Sequence, residues 1–316
     1  MEFSILHISD LHRDLADELD NSWLLESLGN DFQQYDRQNP TILRPSICVV
    51  SGDLVYGVKP EKPGAADELN RQNAQAEDFL IKLADRFFQG TRDRVVLVPG
   101  NHDVSMPDVM ASVERLSDPI TPEEKKQLVV ELFRPRTKLR WSWQELCFYR
   151  LVDEGRYSQR LKCFSDLYTR FYKGKRQFSL QPDLQFDVFD FPALDFSLAT
   201  LCSCFDNDPL HRMGSFHPAS LAGVRKALCA PHRMGWLIGA TWHHSLFGGP
   251  QQDDYLDAQV LQVLMDAGVS IGFHGHQHLS ECLEERYRIG SAPRKITLVS
   301  AGTLCAGPAN LTAGVD

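Results

Sequence analysis

The chain has 316 residues, 43% of them hydrophobic and 24% charged, with a formal net charge of −9. This is an ordinary soluble composition, long enough for a large core in one or two domains. No apolar run approaches the roughly 18 residues of a membrane span, and the negative charge argues against indiscriminate polyanion binding over the whole surface.

The opening MEFSILHISD lacks the basic region and small-residue cleavage site of a signal peptide. The 8 cysteines include no C-x-x-C pair, and only Cys202 and Cys204 lie close together. Both features predict a cytoplasmic protein with reduced thiols.

In chain order, FSILHIS reads as a first strand, and SICVVSGD and DRVVLVPGNHD as two more. Helical patterns lie between them, at about Ser22 to Gln38 and Asp67 to Gln89. In the second, Leu69, Ala76, Phe79, Leu80, Leu83 and Phe87 recur at helical spacing. This β-α-β-α-β order predicts a mostly parallel sheet covered by helices. From about Val104 to Gln181 the strand patterns stop and a helical, basic insertion is expected. Within it, TPEEKKQLVVELF can start a helix, with Thr121 as cap, Pro122 in the first turn and Glu124 completing a capping box.

Strands return at LDFSLATLCS, GWLIGATWHHS, VSIGFHG and KITLVSAG, with helices expected at Ala219 to Ala230 and Asp254 to Ala267. The whole reads as one α/β domain over residues 1–316 carrying an insertion at about 104–181. The segment from Arg134 to Arg176 holds twelve Lys/Arg against four Asp/Glu. It is either a solvated helix face or a surface for a phosphate-rich substrate, such as a nucleotide or nucleic acid. Its aromatics, among them Trp141, Trp143, Tyr149, Phe164 and Tyr168, either stack on bases or form the insertion's own small core. A later loop, FDNDPLHRMGSFHP, can bring His211 or Arg212 near a substrate.

Ligands of open α/β sheets gather at the carboxyl ends of strands. Here those ends supply Asp10 and His12, then Asp53, then Asn101, His102 and Asp103, then His243 and His244, and finally GFHGHQH with His274, His276 and His278. Residues two apart in extended chain point the same way, so Asp10 and His12 face together. Five strand ends in succession bearing Asp, Asn or His are hard to explain by packing, because burying so many ionisable groups is costly without a cation. Mixed carboxylate, amide and imidazole donors suit Mn, Fe, Zn or Co.

The motif order D-x-H, G-D, G-N-H-D, H-H and G-H-x-H resembles the calcineurin-like metallophosphoesterase superfamily, and it spans residues 10 to 278. The resemblance implies a four-layer α/β/β/α sandwich with a dinuclear metal centre, manganese first. It places Asp10, His12 and His278 on one metal, Asp53 between both, and Asn101, His243 and His276 on the second. Leu246 stands where the family's H-[HS]-P segment has proline, so His244 remains a second candidate. His274 has no counterpart and is expected as a neighbour.

His102 would face the substrate phosphate, with Asp103 either orienting it by a hydrogen bond or serving only as a turn residue. Gly275 would let the chain turn without a side chain in the way. The implied reaction is attack on phosphorus by water made acidic between two cations. A phosphodiesterase acting on a nucleotide, cyclic nucleotide or nucleic acid is expected. A phosphomonoesterase or phosphoprotein phosphatase, and a non-catalytic signalling module, are the other readings. Similar proteins usually continue with a further strand after ITLVSAGTLCAG, so the chain is expected to be the N-terminal part of a longer protein.

Overall fold

A computed structural model of the chain describes residues 2–14, 20–117, 121–134, 136–248, 254–289 and 292–304. The first part alternates as expected: β1 (Ser4–Ile8), α1 (Asn21–Phe32), β2 (Pro45–Val50), α2 (Ala65–Phe87) and β3 (Val95–Leu97). Asp20 caps α1 by accepting from the Trp23 N–H at 2.8 Å. The buried face of α2 carries Leu69, Ala76, Phe79, Leu80 and Leu83, at helical spacing. The three strands form a parallel sheet in the order β1-β2-β3, in which Ile8 pairs with Val50 and Val50 with Leu97. Their carboxyl ends therefore lie at one edge.

The segment 104–181 differs from the expectation of a purely helical insertion. It contains α3 (Met106–Met110), β4 (Val113–Arg115), α4 (Pro122–Leu132), β5 (Leu139–Ser142), β6 (Cys147–Leu151), α5 (Glu154–Tyr157) and α6 (Lys162–Phe171). The capping box of α4 forms as expected, with the Glu124 N–H donating to Thr121 Oγ1 at 3.2 Å and the Thr121 N–H to Glu124 Oε2 at 2.8 Å. The three strands make a small antiparallel sheet in the order β4-β6-β5. Bulky aromatics favour a pleated surface, and the cross-strand pair Trp141–Phe148 packs with ring centroids 4.6 Å apart. The aromatics of α6 do not build a separate core. Phe164, Tyr168, Phe171 and the following Tyr172 join the main core beside Phe79 and Leu80, while Trp143 is 73% exposed.

The basic segment is not one helix face either. Arg140 is buried against Asp206 and Asp208. Arg150 pairs with Glu131, Arg170 with Glu77, and Arg176 with Asp93 and Asp187. Buried Arg160 donates to the carbonyls of Cys204 and Phe205.

The rest of the described chain runs β7 (Phe186–Phe191), β8 (Phe196–Leu201), α7 (Pro218–Leu228), β9 (Leu237–Thr241), α8 (Val260–Asp266), β10 (Ile271–His274), β11 (Glu281–Ile289) and β12 (Ala292–Ser300). These strands form a mixed sheet in the order β11-β12-β10-β9-β8-β7. The helix expected from Asp254 begins only at Val260, which leaves Asp254 in a loop. The end of the chain, 305–316, where a further strand was expected to be missing, lies outside the described residues.

In the six-stranded sheet, β8 is buried on both faces. Along β8, Phe196 and Leu198 join the cluster that also holds Ile47, Val49 and Phe79 of the first sheet and α2. Ala199 and Leu201 join a second cluster with Trp242, Val224 and Leu228 of α7, and Leu261 and Leu264 of α8. Just beyond the strand ends, Ser9 bridges to Thr303, which ties the two sheets together where the polar strand ends meet. Among the described residues no helix is long and apolar enough to cross a membrane.

Candidate metal centre

β1, β2 and β10 each leave their sheet through a backbone kink that carries a polar side chain. Asp10, His12, Asp53, His276 and His278 all have positive φ, from +43° to +78°. For residues with a Cβ this left-handed conformation costs on the order of 1–3 kcal/mol each. Five such residues at converging strand ends mark a place where packing and hydrogen bonds enforce strain. The Asp10 N–H donates to the Gly52 carbonyl at 3.1 Å, the His12 N–H to the Asp53 carbonyl at 3.0 Å, and the His276 N–H to Asp10 Oδ2 at 3.1 Å.

Gly275 keeps a side chain out of the way, as expected, and the structure shows what that side chain would meet. A Cβ there would overlap Ser9 Oγ and stand 2.5 Å from Asp10 Oδ2. The requirement is close approach of two loops rather than freedom to turn.

The side chains meet in two groups. In the first, His12 Nε2 lies 3.1 Å from His278 Nε2, and Asp10 Oδ1 lies 3.3 Å from His278 Nε2 and 3.7 Å from His12 Nε2. In the second, Asn101 Oδ1 is 2.9 Å from both His243 Nε2 and His276 Nδ1, and those two nitrogens are 3.3 Å apart. Asp53 Oδ2 stands between the groups, 3.2 Å from His243 Nε2 and 3.9 Å from His12 Nε2. The other oxygen, Oδ1, accepts the His102 N–H at 2.8 Å.

Donors about 2.1 Å from one cation, at tetrahedral or octahedral angles, stand about 3.0–3.4 Å apart. Most of the separations here, 2.9 to 3.3 Å, lie at or close to that range, while the two from His12 to Asp10 and Asp53, at 3.7 and 3.9 Å, are longer. Asp10 Oδ1 is buried without a hydrogen-bond partner, as a carboxylate oxygen kept for a cation would be. The donor set thus fits divalent cations, and the groups Asp10–His12–His278 and Asp10–Asp53–His243 each offer ligand atoms within 4.8 Å of one another.

The electrostatics agree. Burial works against ionising Asp10 and Asp53, yet the surrounding histidines hold both carboxyls below the ordinary range. Burial also opposes charge on His243, but Asp53 and Asp10 outweigh it and raise the imidazole to about 9.

His243, and not His244, enters the cluster. His243 Nδ1 bonds the Ser51 carbonyl at 2.8 Å, which puts the proton on Nδ1 and leaves Nε2 as the donor atom. His244 turns its Nδ1 to Ser203 Oγ at 2.8 Å, and burial together with His276 and His243 lowers its pKa well below the ordinary value. His274 is buried, its pKa lowered to about 4 by burial, and it stacks on Trp242.

His102 lies beside the cluster, its ring centroid 4.6 Å from that of His12. Its Nδ1 bonds the Tyr56 carbonyl at 2.7 Å. A carbonyl only accepts, so Nδ1 carries a proton and Nε2 is the nitrogen that can exchange one. The expected Asp103–His102 hydrogen bond is not found among the described residues. Asp103 instead accepts the backbone N–H groups of Leu54 at 3.1 Å, Val55 at 3.3 Å and Gly100 at 2.8 Å. It clamps the Asp53 loop to the Asn101 loop. Burial and the nearby Asp53 charge raise its carboxyl to about 7, against the pull of those N–H groups.

Of the loop proposed to face substrate, His211 turns its Nδ1 to the Asp206 carbonyl at 2.7 Å, while the Arg212 charge acts on Asp254. Asp254 lies 3.4 Å from His276 Nε2 and was not singled out from the sequence. It stands in a loop between elements, with no motif around it to draw notice.

Two sheets whose strand ends deliver carboxylate, amide and imidazole donors around one shared carboxylate are the framework of a metal-dependent phosphoester hydrolase. The family model of the calcineurin-like phosphoesterases matches residues 3–280, and the chain belongs to that family. The family implies a dinuclear divalent metal centre. Among solved structures, the chain is similar to a dimetal phosphatase from Danio rerio, with 12% identity over 97% of this chain and 89% of that one and a TM-score of 0.46. It is also similar to the protein TT1561 of Thermus thermophilus, with 8% identity over 95% of this chain and 89% of that one and a TM-score of 0.39. No curated protein matches.

Proposed function

We propose that the enzyme is a phosphodiesterase acting on a nucleotide-sized diester, a cyclic nucleotide included, with two manganese ions. In this reading Asp10, His12 and His278 hold one ion, Asn101, His243 and His276 the other, and Asp53 both. The bound ions supply Lewis acidity and lower the pKa of a water.

The chain's own residues then do the rest. Asp53 holds its Oδ1 on the His102 N–H and keeps Oδ2 between the two groups. His102, its Nδ1 fixed on Tyr56, faces the substrate with Nε2. As an imidazolium it gives the Nε2 proton to the leaving alkoxide while the water oxygen bonds to phosphorus and the P–O ester bond breaks. The proton lost by the water goes to solvent, and solvent reprotonates His102. Such acid help is worth roughly 10²–10⁴-fold in rate.

The observation that carries the diester reading is the charge around the site. Every ion pair that Asp10 and Asp53 form among the described residues is with a histidine, and the Arg212 charge near the site acts on the Asp254 carboxylate, which offsets it. A monoester dianion calls for added cationic side chains to clamp it, while a diester monoanion asks for fewer. The basic segment 134–176 spends much of its charge on Glu131, Glu77, Asp187 and Asp208. That favours a single nucleotide over a long nucleic acid tract.

The test is hydrolysis of bis-p-nitrophenyl phosphate against p-nitrophenyl phosphate with Mn²⁺, followed by cyclic nucleotides and single-stranded DNA. Faster diester cleavage supports the reading, and faster monoester cleavage replaces it with a phosphatase.

A further inference from the structure

His276 faces two ways. Its Nδ1 points into the donor group, 2.9 Å from Asn101 Oδ1. Its Nε2 is buried on the other side without a hydrogen bond among the described residues, and 3.4 Å away stands Asp254 Oδ2. Asp254 Oδ1 is buried without a hydrogen bond as well. Asp254 Oδ2 is the polar atom that faces this otherwise unsatisfied Nε2, and a buried ring N–H without an acceptor is costly.

The surroundings hold this contact in place. Leu256 pairs in parallel with Gly214, and the Leu256 N–H donates to the Ser245 carbonyl at 2.8 Å. Two residues before Gly214 and Leu256 stand Arg212 and Asp254, which form no direct ion pair among the described residues, although the Arg212 charge acts on Asp254. The Asp254 loop also passes close to Gly248, where a Cβ would stand 2.8 Å from Tyr255 Cδ1 and 3.3 Å from Asp254 Oδ1. On the far side, Arg140 of β5 anchors the Arg212 loop through Asp208 at 2.8 Å and Asp206 at 2.7 Å, and Asn207 Nδ2 donates to the Arg212 carbonyl at 2.6 Å.

We infer that Asp254 is a positioning residue that takes the Nε2 proton of His276 in a hydrogen bond, with the nearby Arg212 charge steadying its carboxylate. A neutral imidazole has one N–H and one lone pair. A carboxylate at Nε2 fixes the proton there and leaves the lone pair on Nδ1, facing the donor group. Such outer carboxylates make a ligand histidine more basic, and their loss typically costs about 10–100-fold in metal affinity. The inference rests on His276 being a ligand, as proposed above. It adds residues that no strand-end motif contains, and it links the insertion through Arg140 to one half of the site.

The test uses the full chain stripped with chelator and titrated with Mn²⁺ alone, by calorimetry and electron paramagnetic resonance. The wild type should bind two ions and show the signal of a coupled pair. Asp254→Asn, which keeps the shape, should weaken one binding step about 10–100-fold and leave the other within twofold, so that a mononuclear signal remains at limiting metal. Arg212→Gln, at an exposed position, should weaken the same step by a smaller factor, and Asp254→Glu should recover part of the loss.

Wild-type affinity for both ions in Asp254→Asn overturns the inference. So does an equal loss of both steps with a collapsed melting temperature, which would make Asp254 a fold residue. A wild type that binds fewer than two ions overturns the underlying reading of the site, and shows it without any variant.

Discussion

Alanine at Gly275 should damage the enzyme through a single methyl group. The added Cβ would overlap Ser9 Oγ, stand 2.7 Å from Ser9 Cβ and 2.5 Å from Asp10 Oδ2. Ser9 and Asp10 are fully buried and cannot swing into solvent. Overpacking of this kind costs about 1–3 kcal/mol, and the upper half of that range is expected because the neighbours are short side chains on a tied loop. The carboxylate displaced is the one that accepts the His276 N–H, so metal binding should weaken together with the fold.

Urea unfolding of metal-free protein measures the first effect, and Mn²⁺ titration the second. Ser9→Gly removes both the Oγ and the Cβ. In that background, Gly275→Ala should cost no more than about half as much, a coupling within the range of 0.5–3 kcal/mol for residues in contact. Wild-type stability in Gly275→Ala, or the same cost with and without Ser9, would refute the steric argument.

His102→Ala should lower turnover by about 10²–10⁴-fold while metal binding stays within twofold, and unchanged turnover would remove the acid role of its Nε2. His7, half-buried in β1 with its pKa lowered to about 3 by desolvation, stays neutral in the fold while the unfolded chain takes up a proton near 6.5. Its contribution to stability is therefore complete above pH 6.5 and is lost as pH falls from there toward 3, by up to about 1.4 kcal/mol per pH unit. A His7→Asn variant should show a flatter stability profile between pH 6.5 and 4 by urea unfolding, and a parallel profile would contradict the argument. Asp208→Asn should destabilise the chain by about 1.5–3 kcal/mol, because buried Arg140 keeps only the Asp206 carboxylate, and a loss under about 0.5 kcal/mol in urea unfolding would show the pair to be dispensable.

The strands that carry the donor groups were legible in the sequence because each is a short β-branched run ending in Gly, Asp, Asn or His. β1, β2, β3, β9 and β10 all follow that form. The sequence could not decide between His243 and His244, since only tertiary contacts with Ser51 and Ser203 determine which ring turns inward. β5 and β6 read as helix in the sequence because aromatics at Trp141, Phe148 and Tyr149 fit either period over so short a stretch. β7 carries a clearer signal in its Phe–Asp alternation, FDVFDF, although no strand was expected there.

The positive charge of 134–176 was visible, but its partners were not. Asp206 and Asp208 lie some 65 residues beyond Arg140 and meet it only in the fold. Asp254 has the same character, reaching His276 across a loop with no periodicity to announce it.

The most direct test of the dinuclear centre is metal content and hydrolysis measured together in wild type and Asp53→Asn. The account predicts two divalent ions per wild-type chain and Mn²⁺-dependent cleavage of bis-p-nitrophenyl phosphate that chelator abolishes. In Asp53→Asn it predicts fewer than two ions and no cleavage. Two ions and full activity in the variant, or a wild type that hydrolyses the ester with fewer than two, would contradict it.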